Sequence, residues 1–449
     1  MKYKIFSFFI GLSFIGQLAA QDTSKVNNHN YTLAEKNIID LTQQIVPGRK
    51  NSPAQQVKPY IILISADGFR ADFAEKYEAK NLQNLSNNGI RAKFMTPSYP
   101  SVTFPNHYSI VTGLYPSHHG LVDNSYIDVP TGAFYNMGNK KMVAEGKWYG
   151  GTPLWVLAEK QQMITASFYW IASEAAIQGI RPTYYYNYSE KIPIETRIKA
   201  VKDWLMLPEE NRPHFITFYF PDVDHDAHDF GPEDPRVKKS VQFVDSSINA
   251  LQLALAPLNL PISYIFVSDH GMTTVDNIKT LGLPKAVDTN YFKVPWGDAQ
   301  LHLYAKDASK IEPTYQELKK DTSVTVYKLD ETPDHWHYKK SDDRYNRLGD
   351  LILVPKTIHQ VFNLGTSKPT KGKHGFDNKE VDMRASFMAW GPAFKKGLSI
   401  DGFENVNVYP IVAKILGLDY DENSIDGKLN VLKSILQPSP TTMKGAKNN

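Results

Sequence analysis

The sequence predicts an α/β fold: a mostly parallel sheet with helices on both faces, carrying a small inserted α+β cap. Two observations carry this. Three predominantly apolar runs, Tyr60–Ser65, His214–Phe220 and Ser263–Ser268, each stop at a cluster of acidic or histidine residues. Runs that stay apolar at successive positions belong to strands covered on both faces. Between them lie helix-like segments at Ala79–Asn88, Pro105–Thr112, Thr152–Gln161, Glu195–Leu205 and Arg236–Ala254. Strands separated by helical crossovers pair in parallel, and their C-terminal edges form the side on which open α/β sheets bind ligands.

The 449 residues are 42% hydrophobic and 12% aromatic, a composition that packs a core and argues against disorder. A formal charge of +3 without a long basic stripe gives no electrostatic footprint for nucleic acid, so no sequence-specific nucleic-acid binding is expected. The chain has no cysteine, so stability must come from the core or from bound metal.

At the N-terminus, Lys2 and Lys4 precede the apolar run Ile5–Gly16, then Leu18-Ala19-Ala20 and Gln21. This layout predicts a secretory signal peptide over residues 1–20, since roughly 12 apolar residues are too few to span a bilayer. No later segment is long and apolar enough for a span, so an exported protein, periplasmic or secreted, is expected. Residues 21–57 read as a polar extension in which Tyr31–Val46 has the pattern of an amphipathic helix. The main domain is expected over residues 58–436, with the cap inserted at about 285–358. There, short runs at Ala299–Ala305, Val324–Leu329 and Leu351–Val354 surround one helical stretch, Ile311–Lys320. Ala385–Trp390 reads as a further strand, Val408–Leu416 as a late helix, and residues 437–449 as a disordered tail.

The candidate chemistry is organised around Ser101–Gly113, a loop that turns into a helix. Pro105 is tolerated in a first turn and Gly113 is a natural stop. Thr103 therefore falls at or near the N-cap, its hydroxyl beside unpaired N–H groups and the positive end of the helix dipole. Such a place favours phosphate and lowers the cost of an alkoxide. Asp67 follows the first apolar run, Asp222 to His228 the second, and Asp269-His270-Gly271 the third. His374 sits in the glycine-flanked loop Gly372-Lys373-His374-Gly375. Asp and His without thiolate suit zinc, and manganese less well. Asp224 and His228, four apart, can address one ion from one turn, although Asp222 and Asp226 compete with Asp224 on spacing alone. The neighbours Asp269 and His270 can serve one ion only where the strand has ended, which Gly271 permits. His118, His119, His225, His335 and His337 have no such setting and read as structural.

The ordered set Ile64-Ser65-Ala66-Asp67-Gly68-Phe69-Arg70, Pro100 to Pro116, His119-Gly120, Asp123-Asn124, Asp224 to Pro232, Ser268 to Met272 and Lys373-His374-Gly375 resembles the nucleotide pyrophosphatase/phosphodiesterase family of the alkaline phosphatase superfamily. The likeness runs over about residues 58–435 and singles out Asp224 and His228 as the Asp-x-x-x-His element. It implies an alkaline-phosphatase-like fold and two zinc ions. Asp224, His228 and His374 would hold one ion; Asp67, Asp269 and His270 the other, with Thr103 as nucleophile touching the second. The implied reaction is in-line attack on phosphorus through a phospho-threonyl intermediate, with paired ions about 4 Å apart clamping the apical oxygens. Asn124 would donate to a non-bridging oxygen.

The same resemblance implies a nucleotide or other phosphodiester small molecule as substrate, its base between Phe104 and Tyr188 with Trp170 nearby. Here the chain departs from the family, because Trp170-Ile171-Ala172-Ser173-Glu174 lacks the Pro-Gly that usually follows the Trp. The expected activity is hydrolysis of nucleotide pyrophosphate and phosphodiester bonds to nucleoside 5′-monophosphates. The alternatives are the same mechanism on lipid-headgroup, glycerophosphodiester or phosphonate substrates, and a catalytically dead nucleotide-binding protein.

Overall fold

The computed structural model of the chain describes residues 41–438; the expected signal peptide, residues 21–40 and residues 439–449 lie outside the described residues. The centre is a nine-stranded sheet in the order Gln43–Ile45, Tyr184–Tyr186, Thr165–Phe168, Phe215–Phe220, Tyr60–Ala66, Ile262–Val267, Phe387–Trp390, Ile90–Ala92, Leu398–Ile400. From Tyr184–Tyr186 through Ile262–Val267 neighbouring strands pair in parallel. Phe387–Trp390 runs antiparallel between Ile262–Val267 and Ile90–Ala92.

The central strand shows why its sequence is apolar throughout. Ile61 and Leu63 enter the core on one face of the sheet, while Tyr60, Ile62, Ile64 and Ala66 enter the core on the other. With side chains alternating across a sheet that is covered twice, every position is buried. Helices Lys80–Asn87, Thr103–Thr112, Leu154–Lys160, Ile194–Leu205, Pro235–Leu255 and Val408–Leu416 lie close to the segments expected for them.

One expectation fails in the described part. Within Tyr31–Val46, Gln43–Ile45 is an edge strand antiparallel to Tyr184–Tyr186. Beyond it, Asn51 is buried, donating to the carbonyls of Glu209 and Arg212 and accepting from Ile164 N–H. An edge strand needs only one covered face, so its polar residues do not argue against pairing, and a tertiary contact decides.

A second sheet of four strands, in the order Phe292–Lys293, Leu301–Ala305, Leu351–Pro355, Val324–Lys328, is antiparallel and has its own core with helix Ile311–Leu318.

Candidate active site

The strand register brings the acidic residues together. Ala66 pairs with Phe220 and Ser65 with Val267, so the three strands stop almost level. Asp67 and Asp269 lie just past these ends, and Asp224 in the helix Asp222–Phe230 that starts two residues after Phe220. Gly68 makes the junction possible. It has φ +65°, and a Cβ there would meet Asp224 Cα, Cβ and Oδ1 at 3.0 Å. The Gly68 N–H donates to Asp269 Oδ1 at 3.1 Å, tying two strand ends together.

Thr103 is the first helical residue, after the extended Val102, which offers no side-chain cap. Its Oγ1 lies 3.2 Å from His270 Nε2, at the positive end of the helix. On one side of the cluster, Asp224, His228 and His374 converge. His228 Nε2 is 3.0 Å from His374 Nε2 and 3.5 Å from Asp224 Oδ2, and His374 Nε2 is 3.6 Å from Asp224 Oδ1. On the other, His270 Nε2 lies 2.8 Å from Asp269 Oδ2 and 3.6 Å from Asp67 Oδ1. Asp67 stands between the groups, with donor atoms within 4.8 Å of both Asp224 and His270, and in a separate set of both His107 and Asp269.

Three features fit this cluster to cations. First, every one of these histidines turns Nδ1 to a backbone carbonyl: His228 to Gly372, His374 to Ser101 and His270 to Gly271, at 2.8–2.9 Å. At His228 and His374 the Nδ1–H donates there, which leaves the Nε2 lone pair for the centre; the His270 Nε2 faces Asp269 Oδ2, whose charge raises the imidazole above its ordinary value. Second, Asp67 Oδ1 and Asp224 Oδ1 are buried and accept no hydrogen bond. Third, four ligand atoms at about 2.0 Å around a tetrahedral zinc stand about 3.3 Å apart, close to the spacing of the Asp224–His228–His374 set.

The electrostatics agree. Burial, then the charges of Asp269 and Asp224, push the Asp67 carboxyl well above its ordinary value. Burial would also raise Asp269, but the His270 and His107 imidazoles hold it well below the usual carboxylate range. Burial lowers His228 and, with His270 and His228 beside it, lowers His374 strongly, the direction that favours the neutral imidazole able to bind a metal. Clustered buried carboxylates that repel one another are relieved by positive charge.

Asn124 is half-buried and accepts the Phe104 N–H on Oδ1 at 3.1 Å, which leaves its amide nitrogen to donate. Phe104 and Tyr188 are also half-buried. The Tyr188 N–H donates to Glu174 and its hydroxyl to Glu190, each at 2.8 Å, and its ring packs edge-on against Tyr169 and Tyr219. Trp170 is the most deeply buried of these three aromatics. It is 3% exposed and its indole N–H donates to His107 O at 3.0 Å, so it braces the helix from beneath. Asp226 accepts from Ser240, away from the cluster. His118 and His335 pair with Asp426 and Asp377, His119 with Ser109, and His337 stacks on Tyr115.

Two supporting residues escape a reading of the sequence. His107, four residues after Thr103, faces Ser65 Oγ at 2.8 Å, Thr103 O at 3.0 Å and Asp269 Oδ2 at 3.3 Å. Tyr219 donates its hydroxyl to Asp67 Oδ2 at 2.6 Å. The only signal for His107 is its i, i+4 spacing from Thr103 on one helix face. Tyr219 is one aromatic among several in its strand.

Comparison with known proteins gives the same direction. Residues 61–377 match the family model described as type I phosphodiesterase / nucleotide pyrophosphatase. The chain is 36% identical over 420 residues to the mouse (Mus musculus) ectonucleotide pyrophosphatase/phosphodiesterase family member 1, covering 88% of this chain and 45% of that protein. It is 31% identical over 398 residues to an uncharacterized pyrophosphatase/phosphodiesterase of Schizosaccharomyces pombe, covering 85% and 81%. The chain thus spans about half the length of the animal relatives it matches. Human ectonucleotide pyrophosphatase/phosphodiesterase 5 superposes with a TM-score of 0.78 at 25% identity, over 84% of this chain and 100% of that one. Its murine counterpart, as an inactive threonine-to-alanine variant in complex with AMP, also gives 0.78 at 25% identity, over 85% and 100%. With strand ends, acidic cluster and helix in this arrangement and the match running from residue 61 to 377, the chain belongs to the type I phosphodiesterase/nucleotide pyrophosphatase family of the alkaline phosphatase superfamily.

Proposed function

We propose that this chain is an exported, zinc-dependent phosphodiesterase that cleaves nucleotide pyrophosphate and phosphodiester bonds through phosphorylated Thr103, releasing nucleoside 5′-monophosphates. The carrying observation is the placement of the Thr103 hydroxyl at a helix N-terminus, 3.2 Å from His270 Nε2, in a cluster where Asp67 Oδ1 and Asp224 Oδ1 are buried without a hydrogen-bond donor. Two zinc ions, one at Asp224, His228 and His374 and one at Asp67, Asp269, His270 and Thr103, would supply the charge that makes hydroxyl and water acidic at neutral pH.

The chain's own residues do the rest. Thr103 Oγ1 forms a bond to phosphorus as the bond to the leaving oxygen breaks, and the hydroxyl proton passes through solvent to that departing oxygen. Water then attacks the phospho-threonine, regenerating the hydroxyl and releasing the monophosphate. The helix dipole favours both the alkoxide and the bound phosphate. Asn124 donates from Nδ2 to a non-bridging oxygen, its Oδ1 being occupied by Phe104 N–H. Phe104 and Tyr188 offer flat faces to the nucleobase. His107 and Tyr219 hold the carboxylates in place. The mouse relative's name and the AMP bound by the murine neighbour support a nucleotide over a lipid headgroup or a phosphonate. Turnover of a dinucleotide polyphosphate and a nitrophenyl nucleotide ester, against glycerophosphocholine, tests this. Preference for glycerophosphocholine would overturn the nucleotide assignment while keeping the mechanism.

A further inference from the structure

Asn124 does not stand alone. The preceding residue, Asp123, is 9% exposed, and no Lys or Arg pairs with it among the described residues. Its Oδ1 accepts the N–H of Asn124 itself at 2.6 Å, and its Oδ2 accepts Gln300 Nε2 at 2.8 Å. Gln300, 3% exposed, directly precedes the strand Leu301–Ala305 of the four-stranded sheet, and its Oε1 accepts the Tyr99 hydroxyl. The same region grips the loop again nearby. Tyr338 donates to Val122 O, Trp336 stacks on Tyr99 with centroids 3.8 Å apart, and Ile127 N–H donates to Tyr304 Oη at 3.3 Å.

We propose that Asp123, held by Gln300, is a positioning residue that fixes Asn124 so that its amide nitrogen faces the phosphate; this rests on the role given to Asn124 above. Burying a carboxylate without a cation is costly, and an isosteric amide would fill the same space for less. What the carboxylate adds is two acceptor oxygens, and both are used, one by Asn124 and one by the inserted sheet. Asn124 is held by its own N–H on Asp123, by Phe104 N–H on its Oδ1 and by Met137 N–H on its carbonyl, so its side chain can present Nδ2 in one direction only. The four-stranded sheet thereby acts on the reaction through Gln300, Asp123 and Asn124.

The test is a double-mutant cycle and a swap. Asp123→Asn puts an amide donor against Gln300 Nε2, whereas D123N/Q300E restores donor to acceptor and still accepts the Tyr99 hydroxyl. D123N is expected to lower kcat at least about 10-fold with little change in KM and unchanged zinc content. D123N/Q300E is expected to recover to within about 3-fold of the parent, and in an N124A background D123N should have almost no further effect. Equal D123N effects with and without Asn124, or no recovery in the swap, would overturn the proposal. Crystals of D123N give a readout that needs no activity: the Asn124 amide should turn off Phe104 N–H, and an unmoved Asn124 would refute the role. Parent turnover on a nucleotide diester separately tests the phosphodiesterase reading.

Discussion

His228 and His374 face one another Nε2 to Nε2 across 3.0 Å while each turns its Nδ1 to a backbone carbonyl. With both Nδ1 atoms protonated and both rings neutral, two lone pairs meet. That contact is repulsive until a cation sits between them, and Asp224 Oδ1, buried without a donor, aims at the same place. This is the arrangement expected of groups that could hold a metal ion.

Removing metal should therefore cost stability. Chelation is expected to lower Tm by several degrees, since saturation at a thousand times Kd contributes about 4 kcal/mol, and added zinc should restore it. Differential scanning calorimetry reads this, and an unchanged Tm would mean that the cluster holds no resident ion.

Thr103→Ala should retain zinc and the fold but lose at least about 10³-fold in kcat, roughly 4 kcal/mol of transition-state stabilisation. Thr103→Ser should keep most of the activity, because the nucleophilic oxygen remains. Near-normal turnover in Thr103→Ala would assign the nucleophile elsewhere.

Tyr219→Phe removes one hydroxyl and leaves the ring. Asp67 Oδ2 then loses the one side-chain donor it has among the described residues, and zinc affinity should fall about 10-fold, within the range found when a ligand's outer partner is removed. Competition with a chromophoric chelator measures it. An affinity equal to the parent's would show that Asp67 is held by its backbone alone.

Acid should destabilise the protein through His119 and His302. Burial depresses His119 to about 3 and His302 to about 4, below the unfolded value of 6.5. The unfolded chain then binds more protons than the folded one between those values, so stability present above about pH 6.5 is lost as pH falls toward 3–4. The loss is of order a few kcal/mol per histidine. Denaturant titrations from pH 7 to pH 4 should show it, and His119→Gln should flatten the slope.

The sheet centre was legible because Tyr60–Ala66, Phe215–Phe220 and Ile262–Val267 are buried on both faces, which forces apolar residues at successive positions. The proposed metal-ligating residues stood out for the same reason, since a strand that ends at Asp67 or Asp269 marks its own C-terminal edge. Thr165–Phe168 and Tyr184–Tyr186 were harder, being only 4 and 3 residues long. Gln43–Ile45 read as helix because only its partner strand makes it a strand. His107 and Tyr219 act through contacts 162 and 152 residues away in sequence, a link that no local pattern carries.

The most direct measurement is anomalous scattering at the zinc edge from crystals grown with zinc. Two peaks are expected, one among Asp224, His228 and His374, the other among Asp67, Asp269, His270 and the Thr103 hydroxyl. A single peak, or a second one out of reach of Thr103, would contradict a hydroxyl activated between paired cations.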